Sequence, residues 1–390
     1  MKRLFLSFLI SVLFLTCSYG KTTTRIITGD ERTEQYLPLL KGQKVALFSN
    51  RTGMANKKHI LDVLLEHGVN VTCIFSPEHG FRGLADAGEH VTNSVDEQTG
   101  VPILSLYGGT SPLKDPQTME RFDVLIVDIQ DVGLRFYTYY VTMCHLMDAC
   151  AEANKSVIIL DRPNPNGHYV DGPVLDLTLR SGVGWLPIPV VHGMTLGELA
   201  QMINGEGWLE QHQKCRLTVI PCLNYTHATK VDITVPPSPN LPNRQAVWLY
   251  PSLCYFEATP VSVGRGTSKP FQIFGHPAMK GFPYTFTPKS RIGATNPPQK
   301  DQRCYGRDLS HLSEQTIRER GIDLSYLIEA YHRVNIGDTF FSNFFEKLIG
   351  NKKIRQLIEN GKSAAEIRAT WQHDVEAFKQ QRRPYLLYPE

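Results

Sequence analysis

The chain has 390 residues, is 42% hydrophobic and 20% charged, and carries a formal net charge of +3. That balance describes a packed globular protein. It excludes a dedicated nucleic-acid binder, which would gather Lys and Arg into patches, and the length is enough for two domains.

The first twenty residues read as a secretory signal. Lys2 and Arg3 precede an apolar run from Leu4 to Leu15, and Ser18-Tyr19-Gly20 offers a small-x-small cleavage site, in a segment too short for a comfortable membrane span. A lipid anchor on Cys17 is the rival reading, but Phe14-Leu15-Thr16 fits a lipoprotein processing site poorly. The expected location is secreted or periplasmic, with no stable membrane span. If Cys17 leaves with the signal, seven of the eight cysteines remain, an odd number. Several stand in apolar runs such as VTCIF and LTVIPCL, where a buried thiol is expected, and no CxxC pair suggests zinc or redox chemistry.

Short apolar, β-branched runs follow in order: KVALFS (44–49), VNVTCIF (69–75), PILSLY (102–107), DVLIVDI (123–129), SVIILD (156–161) and LTVIPC (217–222). Continuous apolar runs of this length predict strands buried on both faces, hence a parallel sheet. Helical spacing links Ile60, Leu61, Leu64 and Leu65; then Phe136, Tyr139, Tyr140, Met143, Leu146, Met147 and Cys150; then the residues of Met194–Met202. Alternating strands and helices predict a doubly wound, mostly parallel α/β sheet of the Rossmann-like class. The pattern stops near PPSPNLP (236–242), and a segment rich in Gly, Pro and aromatics extends from Phe256 to Pro298. Beyond it, 325–334 has helical spacing, and Ser363-Ala364-Ala365-Glu366 is a capping box for a helix running to about Gln380. The expected division is a Rossmann-like domain over 21–260 and a smaller α+β domain over 261–390.

Each strand is followed by polar residues: Ser49-Asn50-Arg51, Ser76-Pro77-Glu78-His79, Tyr107-Gly108-Gly109, Asp128-Ile129-Gln130-Asp131 and Asp161-Arg162-Pro163-Asn164. In open α/β sheets ligands bind beyond the carboxyl ends of the strands, so these clusters are expected on one rim. A nucleotide is not expected there. The first strand leads into SNRTGM rather than GxGxxG, and the spacing of VGRGTSK (263–269) does not match GxxxxGK[ST]. No cofactor and no metal are expected, since His79, His192 and His276 lie far apart without HExxH or HxH spacing. Glu78 could be a general acid whose pKa is raised by Phe75 and Phe81, with His79 and Arg82 orienting it; alternatively it pairs with Arg82. Asp128 and Asp131 are the next carboxylates, or they are loop caps for the helix that follows, where a carboxylate favours the dipole. Asp161 either joins the chemistry or ties its own turn. Tyr107, Phe136, Tyr137, Tyr139, Trp185 and Phe271 interleave with these polar groups, a mixture that suits the apolar faces and hydroxyl edges of a sugar.

The ordered set SPEHGFRG, VDIQDVGLRFYTY, LDRPNPNG, DGPVL, PIPVVHGMTLGELA, PSPNLP, SVGRGTSKPFQIFG and FKQQRRPYLLYP resembles the signature run of the exo-β-N-acetylmuramidase family, peptidoglycan glycoside hydrolases, across essentially the whole mature chain. The resemblance implies an enzyme that releases a non-reducing terminal N-acetylmuramic acid from peptidoglycan-derived saccharides, in a cleft between the two domains. It also implies Glu78 as the catalytic acid. Asp128 or Asp131 is the expected partner, with Glu257 behind them. Substrate contacts are expected from His79, Arg82, Tyr107, Arg135, Tyr137, Asp161, His192, Asn240, Glu257 and Arg265. The lactyl carboxylate of muramic acid needs a cation, for which Arg82, Arg135 and Arg265 are candidates. Two alternatives are a secreted peptidoglycan-binding protein without catalysis and an amidase on the same fold.

Overall fold

The structure, a computed structural model, describes residues 25–77, 81, 93–106 and 111–390. Every structural statement below concerns these residues.

Strands of the first half are β1 (Lys44–Ser49), β2 (Met54–Ala55), β3 (Lys58–His59), β4 (Asn70–Ser76), β5 (Ser94–Val95), β6 (Pro102–Ser105), β7 (Val124–Asp128), β8 (Ser156–Leu160) and β9 (Arg216–Ile220). Seven of them form one sheet in the order β5-β6-β4-β1-β7-β8-β9. All neighbours are parallel except the edge strand β5. Counting the parallel strands alone, the order is the 3-2-1-4-5-6 of dinucleotide-binding sheets, with its reversal between β1 and β7. The Rossmann-like expectation holds, and each predicted run supplies a strand within two residues of its bounds.

Burial on both faces explains why those runs are continuously apolar. Val45 and Leu47 of β1 point into one core and Ala46 and Phe48 into the other; Ile126 and Val127 of β7 divide in the same way. The core containing Phe48 runs on without interruption into the second half of the chain, through Phe274, Leu327, Phe345 and Trp371. There β10 (Ile273–His276), β12 (Cys304–Asp308) and β11 (Tyr284–Phe286) make an antiparallel sheet in that order, packed with short helices into a smaller α+β domain.

The helices differ from expectation in two places. The long helix after β7 spans Tyr139–Glu152, so Phe136 and Tyr137 belong to the loop that enters it. The capping box at Ser363 is present, but the helix it opens ends at Ala369 and a second one covers Gln372–Arg382. Trp371 sits at the break, 2% exposed, its indole donating to Asp171 Oδ1 at 2.9 Å, and this anchor takes the chain off the helical path. The helix Leu196–Gly205 starts on the capping box Thr195/Glu198.

Residues 387–389 return to the first domain. Tyr388 donates to Asp161 Oδ2 at 2.6 Å, the Leu387 amide donates to Glu198 Oε1 at 2.8 Å, and Pro389 accepts from the His227 amide at 2.8 Å. The seven described cysteines are all buried and unpaired. No described helix is long and apolar enough to cross a membrane.

Candidate active site

The loops after β1, β7 and β8 are knitted together along one rim, as parallel strands require. Asn50 Oδ1 accepts from the Thr52 hydroxyl at 2.6 Å; that hydroxyl accepts from the Gln130 amide at 2.9 Å; Gln130 in turn donates to the Pro163 carbonyl at 2.8 Å. Gly53 packs so close to the Ser49 hydroxyl that a side chain there would collide with it and crowd Asp128.

Three aspartates on this rim are structural in their contacts. Asp128, fully buried, takes Nε and Nη2 of Arg162 on its two oxygens at 2.6 and 3.0 Å. Asp30 receives the same Nη2. Burial works against the charge of Arg162, but Asp128 and Asp30 outweigh it and hold the guanidinium above its ordinary range. Asp161, also fully buried, accepts from the Thr195 hydroxyl (2.7 Å), the Gly197 amide (2.9 Å) and Tyr388. It therefore secures the start of the helix Leu196–Gly205 and the returning chain rather than its own turn. Asp131 caps a turn through Oδ1, which accepts from the Gly133 amide at 2.6 Å, and its buried Oδ2 has no partner. Burial pushes its pKa up to about 7 against the pull of the Gly133 and Val132 amides.

Beside the reversal point lies a cavity of about 530 Å³, walled by the loop and helix after β7, the PSPNLP segment and the second domain. Tyr139 connects it to the rim, accepting from Asn50 Nδ2 at 2.9 Å and donating to the Pro237 carbonyl at 3.2 Å. Four predicted substrate-binding residues line it: Tyr137, Asn240, Glu257 and Arg265. Tyr137 donates to the Pro237 carbonyl at 2.8 Å, fixing its ring against that of Tyr139. Asn240 donates through its NH2 to the Gly293 carbonyl at 2.7 Å, which settles the amide orientation and leaves Oδ1 as the acceptor. Glu257 is the one carboxylate among the described cavity residues, with Oε1 held by Nε and Nη2 of Arg265 at 2.9 and 2.6 Å. Phe136, Phe271 and Tyr250 complete an aromatic wall suited to sugar faces.

The remaining expectations are placed elsewhere. Arg135 is wholly buried, and its guanidinium donates to the carbonyls of Pro173, Ile188 and Leu348 at 2.7, 3.0 and 3.1 Å. Burial lowers its pKa to about 10. It ties the two halves together and is not available to a substrate carboxylate. His192 is likewise fully buried outside the cavity, accepting from the Met194 amide at 3.2 Å, with burial lowering its pKa to about 3. Trp185 stands behind the cavity residue His145, ring to ring at 4.6 Å. Phe75 and Phe81 sit in cores on opposite faces of the sheet. Glu78, His79, Arg82 and Tyr107 lie outside the described residues; Ser76 and Pro77, which lead to Glu78, are buried at the carboxyl end of β4, on the rim just described. Sequence reasoning missed Tyr250, Ser238 and His145 as cavity residues. Ser238 lay inside a quoted motif, whereas Tyr250 and His145 are ordinary members of helical faces and carried no signal.

Fold and cavity together define an α/β protein of the Rossmann class with a cavity beside the reversal of the sheet, walled on one side by a second domain. The family profiles for the N-terminal and C-terminal parts of exo-β-N-acetylmuramidase NamZ match residues 45–245 and 248–388, and the chain belongs to that family. It is 36% identical over 385 residues to the peptidoglycan β-N-acetylmuramidase NamZ of Bacillus subtilis (strain 168), covering 93% of this chain and 92% of that protein. Among solved structures, a DUF1343-family protein of Bacteroides fragilis NCTC 9343 shares 58% identity with a TM-score of 0.89, covering 94% of this chain and 100% of its own. A second DUF1343-family protein of the same organism shares 30% identity with a TM-score of 0.77, covering 93% of this chain and 99% of its own.

Proposed function

We propose that this protein is an exo-acting glycoside hydrolase that releases non-reducing terminal N-acetylmuramic acid from peptidoglycan fragments. The observation that carries the reading is the aromatic-walled cavity at the sheet reversal, holding Tyr137, Asn240, Glu257 and Arg265, in a chain of the exo-β-N-acetylmuramidase NamZ family. A cavity of about 530 Å³ has room for a terminal sugar. The charged, apolar and small residues of 2–20 support export to where such fragments occur.

In the proposed reaction Glu78 gives its proton to the glycosidic oxygen, and the anomeric C–O bond breaks with its electron pair leaving on that oxygen. Glu257 replaces Asp128 and Asp131 as the partner carboxylate. Those two are committed to Arg162 and to a turn, whereas Glu257 faces the cavity with only a weak contact on Oε2, from the Cys254 thiol at 3.5 Å. Pinned by Arg265, Glu257 is better suited to accept the N–H of the 2-acetamido group than to attack carbon. Orienting that amide lets its oxygen bond to the anomeric carbon as the glycosidic bond breaks; water then adds to that carbon, the bond to the acetamide oxygen breaks, and the water's proton returns to Glu78.

The test is hydrolysis of para-nitrophenyl N-acetylmuraminide by wild type, Glu78→Gln and Glu257→Gln, with the N-acetylglucosaminide as control. Wild type releases nitrophenol from the muraminide alone, and Glu78→Gln loses roughly a hundredfold or more, as removal of a general acid predicts. Binding without turnover by folded wild type would mark a catalytically silent binder, and release of stem peptide from muropeptides would mark an amidase.

A further inference from the structure

Resting on the muramidase reading, a narrower question is how the cavity tells N-acetylmuramic acid from N-acetylglucosamine. The two differ by a 3-O-lactyl group, whose carboxylate is ionised at neutral pH. We infer that Arg265 reads this carboxylate through the Nη1/Nη2 face of its guanidinium, the face that Glu257 leaves open.

Arg265 is the one permanent cation among the described cavity residues. Its guanidinium is fixed in plane and direction: Nε and Nη2 meet Glu257 Oε1, and the group lies over the Phe271 ring at 5.1 Å. A guanidinium carries five N–H donors, and one edge takes up the Nε–H and a single Nη2 hydrogen. Two parallel donors, one on each Nη, remain for a bidentate carboxylate, and no described residue bonds to Nη1.

The backbone around Arg265 is built for this presentation. Gly264 and Gly266 flank it with φ of +79° and +78°, so the arginine stands at the tip of a loop that only glycines can turn so tightly. A side chain at Gly264 would meet Ile273 and the Lys269 carbonyl. Phe271, the ring beneath the guanidinium, is itself left-handed at φ +54°, a costly conformation for a bulky residue. Its amide bond to the Val263 carbonyl (2.8 Å) and its edge contact with Tyr250 (4.7 Å) hold it there. Strain is thus maintained at the one ring that backs the cation.

The chemistry of the sugar matches the pair. The acetamide on C2 and the lactyl ether on C3 are neighbours on the ring, and Glu257 and Arg265 are neighbours in the cavity. The carboxylate accepts the amide N–H while the guanidinium donates to the lactyl acid. A glucosaminide, with a hydroxyl on C3, would leave two oriented donors without an anion.

The experiment compares kcat/KM for para-nitrophenyl N-acetylmuraminide and for its lactyl methyl ester, in wild type, Arg265→Met, Arg265→Lys and Arg82→Met, each checked for folding by thermal melting. Wild type prefers the free acid by on the order of a hundredfold, because the neutral ester offers a carbonyl acceptor but no charge and no matched pair of oxygens. Arg265→Met lowers turnover of both substrates, because Glu257 loses its pin, but the acid falls much further than the ester and the ratio comes close to one. Arg265→Lys, which keeps the charge without the fork, gives an intermediate ratio and decides the matter if the Met variant melts early. Equal losses on both substrates in Arg265→Met, or an undiminished preference in Arg265→Lys, overturn the inference. So does a collapse of the ratio in Arg82→Met alone. If wild type cleaves acid and ester alike, the inference fails while the muramidase reading stands; if it cleaves neither, both fail.

Discussion

Asp131 shows what burial does to a carboxylate with one oxygen satisfied and the other bare. Its pKa is raised by burial to about 7 in the folded protein, against the ordinary carboxylate value in the unfolded chain. The folded state therefore binds the extra proton between those two values, and the stability this confers is present in acid and lost as pH rises through 7. Asp131→Asn keeps an acceptor for Gly133 and removes the charge. It should raise the melting temperature by a few degrees at pH 8 and leave it unchanged or lower at pH 4; a gain of equal size at both values would contradict the assignment. Asn240 offers a second test at this scale. Its side chain both ties Gly293 to the cavity wall and presents Oδ1, so Asn240→Ala should lower kcat/KM on the muraminide by about tenfold, the loss of one well-placed hydrogen bond. Asn240→Asp should do as badly, since it loses the donor to the Gly293 carbonyl.

At the scale of elements, two capping boxes separate the worth of a cap from the worth of what it touches. Ser363 caps an exposed helix, and Ser363→Ala should cost about 1 kcal/mol in urea unfolding. Thr195 is buried and also donates to Asp161, so Thr195→Ala should cost more, about 2–3 kcal/mol, because Asp161 is left buried and one partner short. The Ser363 box was visible in the sequence, as were the strands, because capping chemistry and two-faced burial leave local residue patterns; Thr195 instead reads as part of a helix beginning at Met194, and the structure makes it the cap. Position along the chain also put Asn50, Gln130, Asp161 and Arg162 on one rim. Partner identity was not visible. Nothing near Asp128 indicates that Arg162, thirty-four residues on, occupies both its oxygens, or that Arg135 faces carbonyls from as far away as Leu348. The Gly-Arg-Gly of 264–266 reads in sequence only as a mismatched phosphate loop; the setting of Arg265 depends on Glu257 and Phe271, which only the fold brings beside it. The helix predicted through to Gln380 failed for the same reason, its break being set by Asp171, two hundred residues earlier.

Across the whole molecule the two domains share one continuous core, and residues 387–389 strap the second domain back to the first. Tyr388 is the centre of that strap, donating to Asp161 and accepting from the Cys222 amide at 2.9 Å. Tyr388→Phe should lower the unfolding free energy by about 1–3 kcal/mol, the cost of buried polar groups left unpaired. A single cooperative transition should persist, since the core is not divided at the domain border. The scattered thiols have a different consequence. Cys73 lies in the sheet, Cys144 on the helix behind it, Cys215 ahead of β9 and Cys304 in the small sheet, and burial pushes their pKa values up to between about 11 and about 12. A thiolate is the form that alkylates, so each reacts only when its own neighbourhood opens. Labelling with iodoacetamide followed by peptide mass spectrometry thus makes these cysteines an internal set of clocks. Their relative rates would time which part of the protein breathes first, with no probe added to the chain.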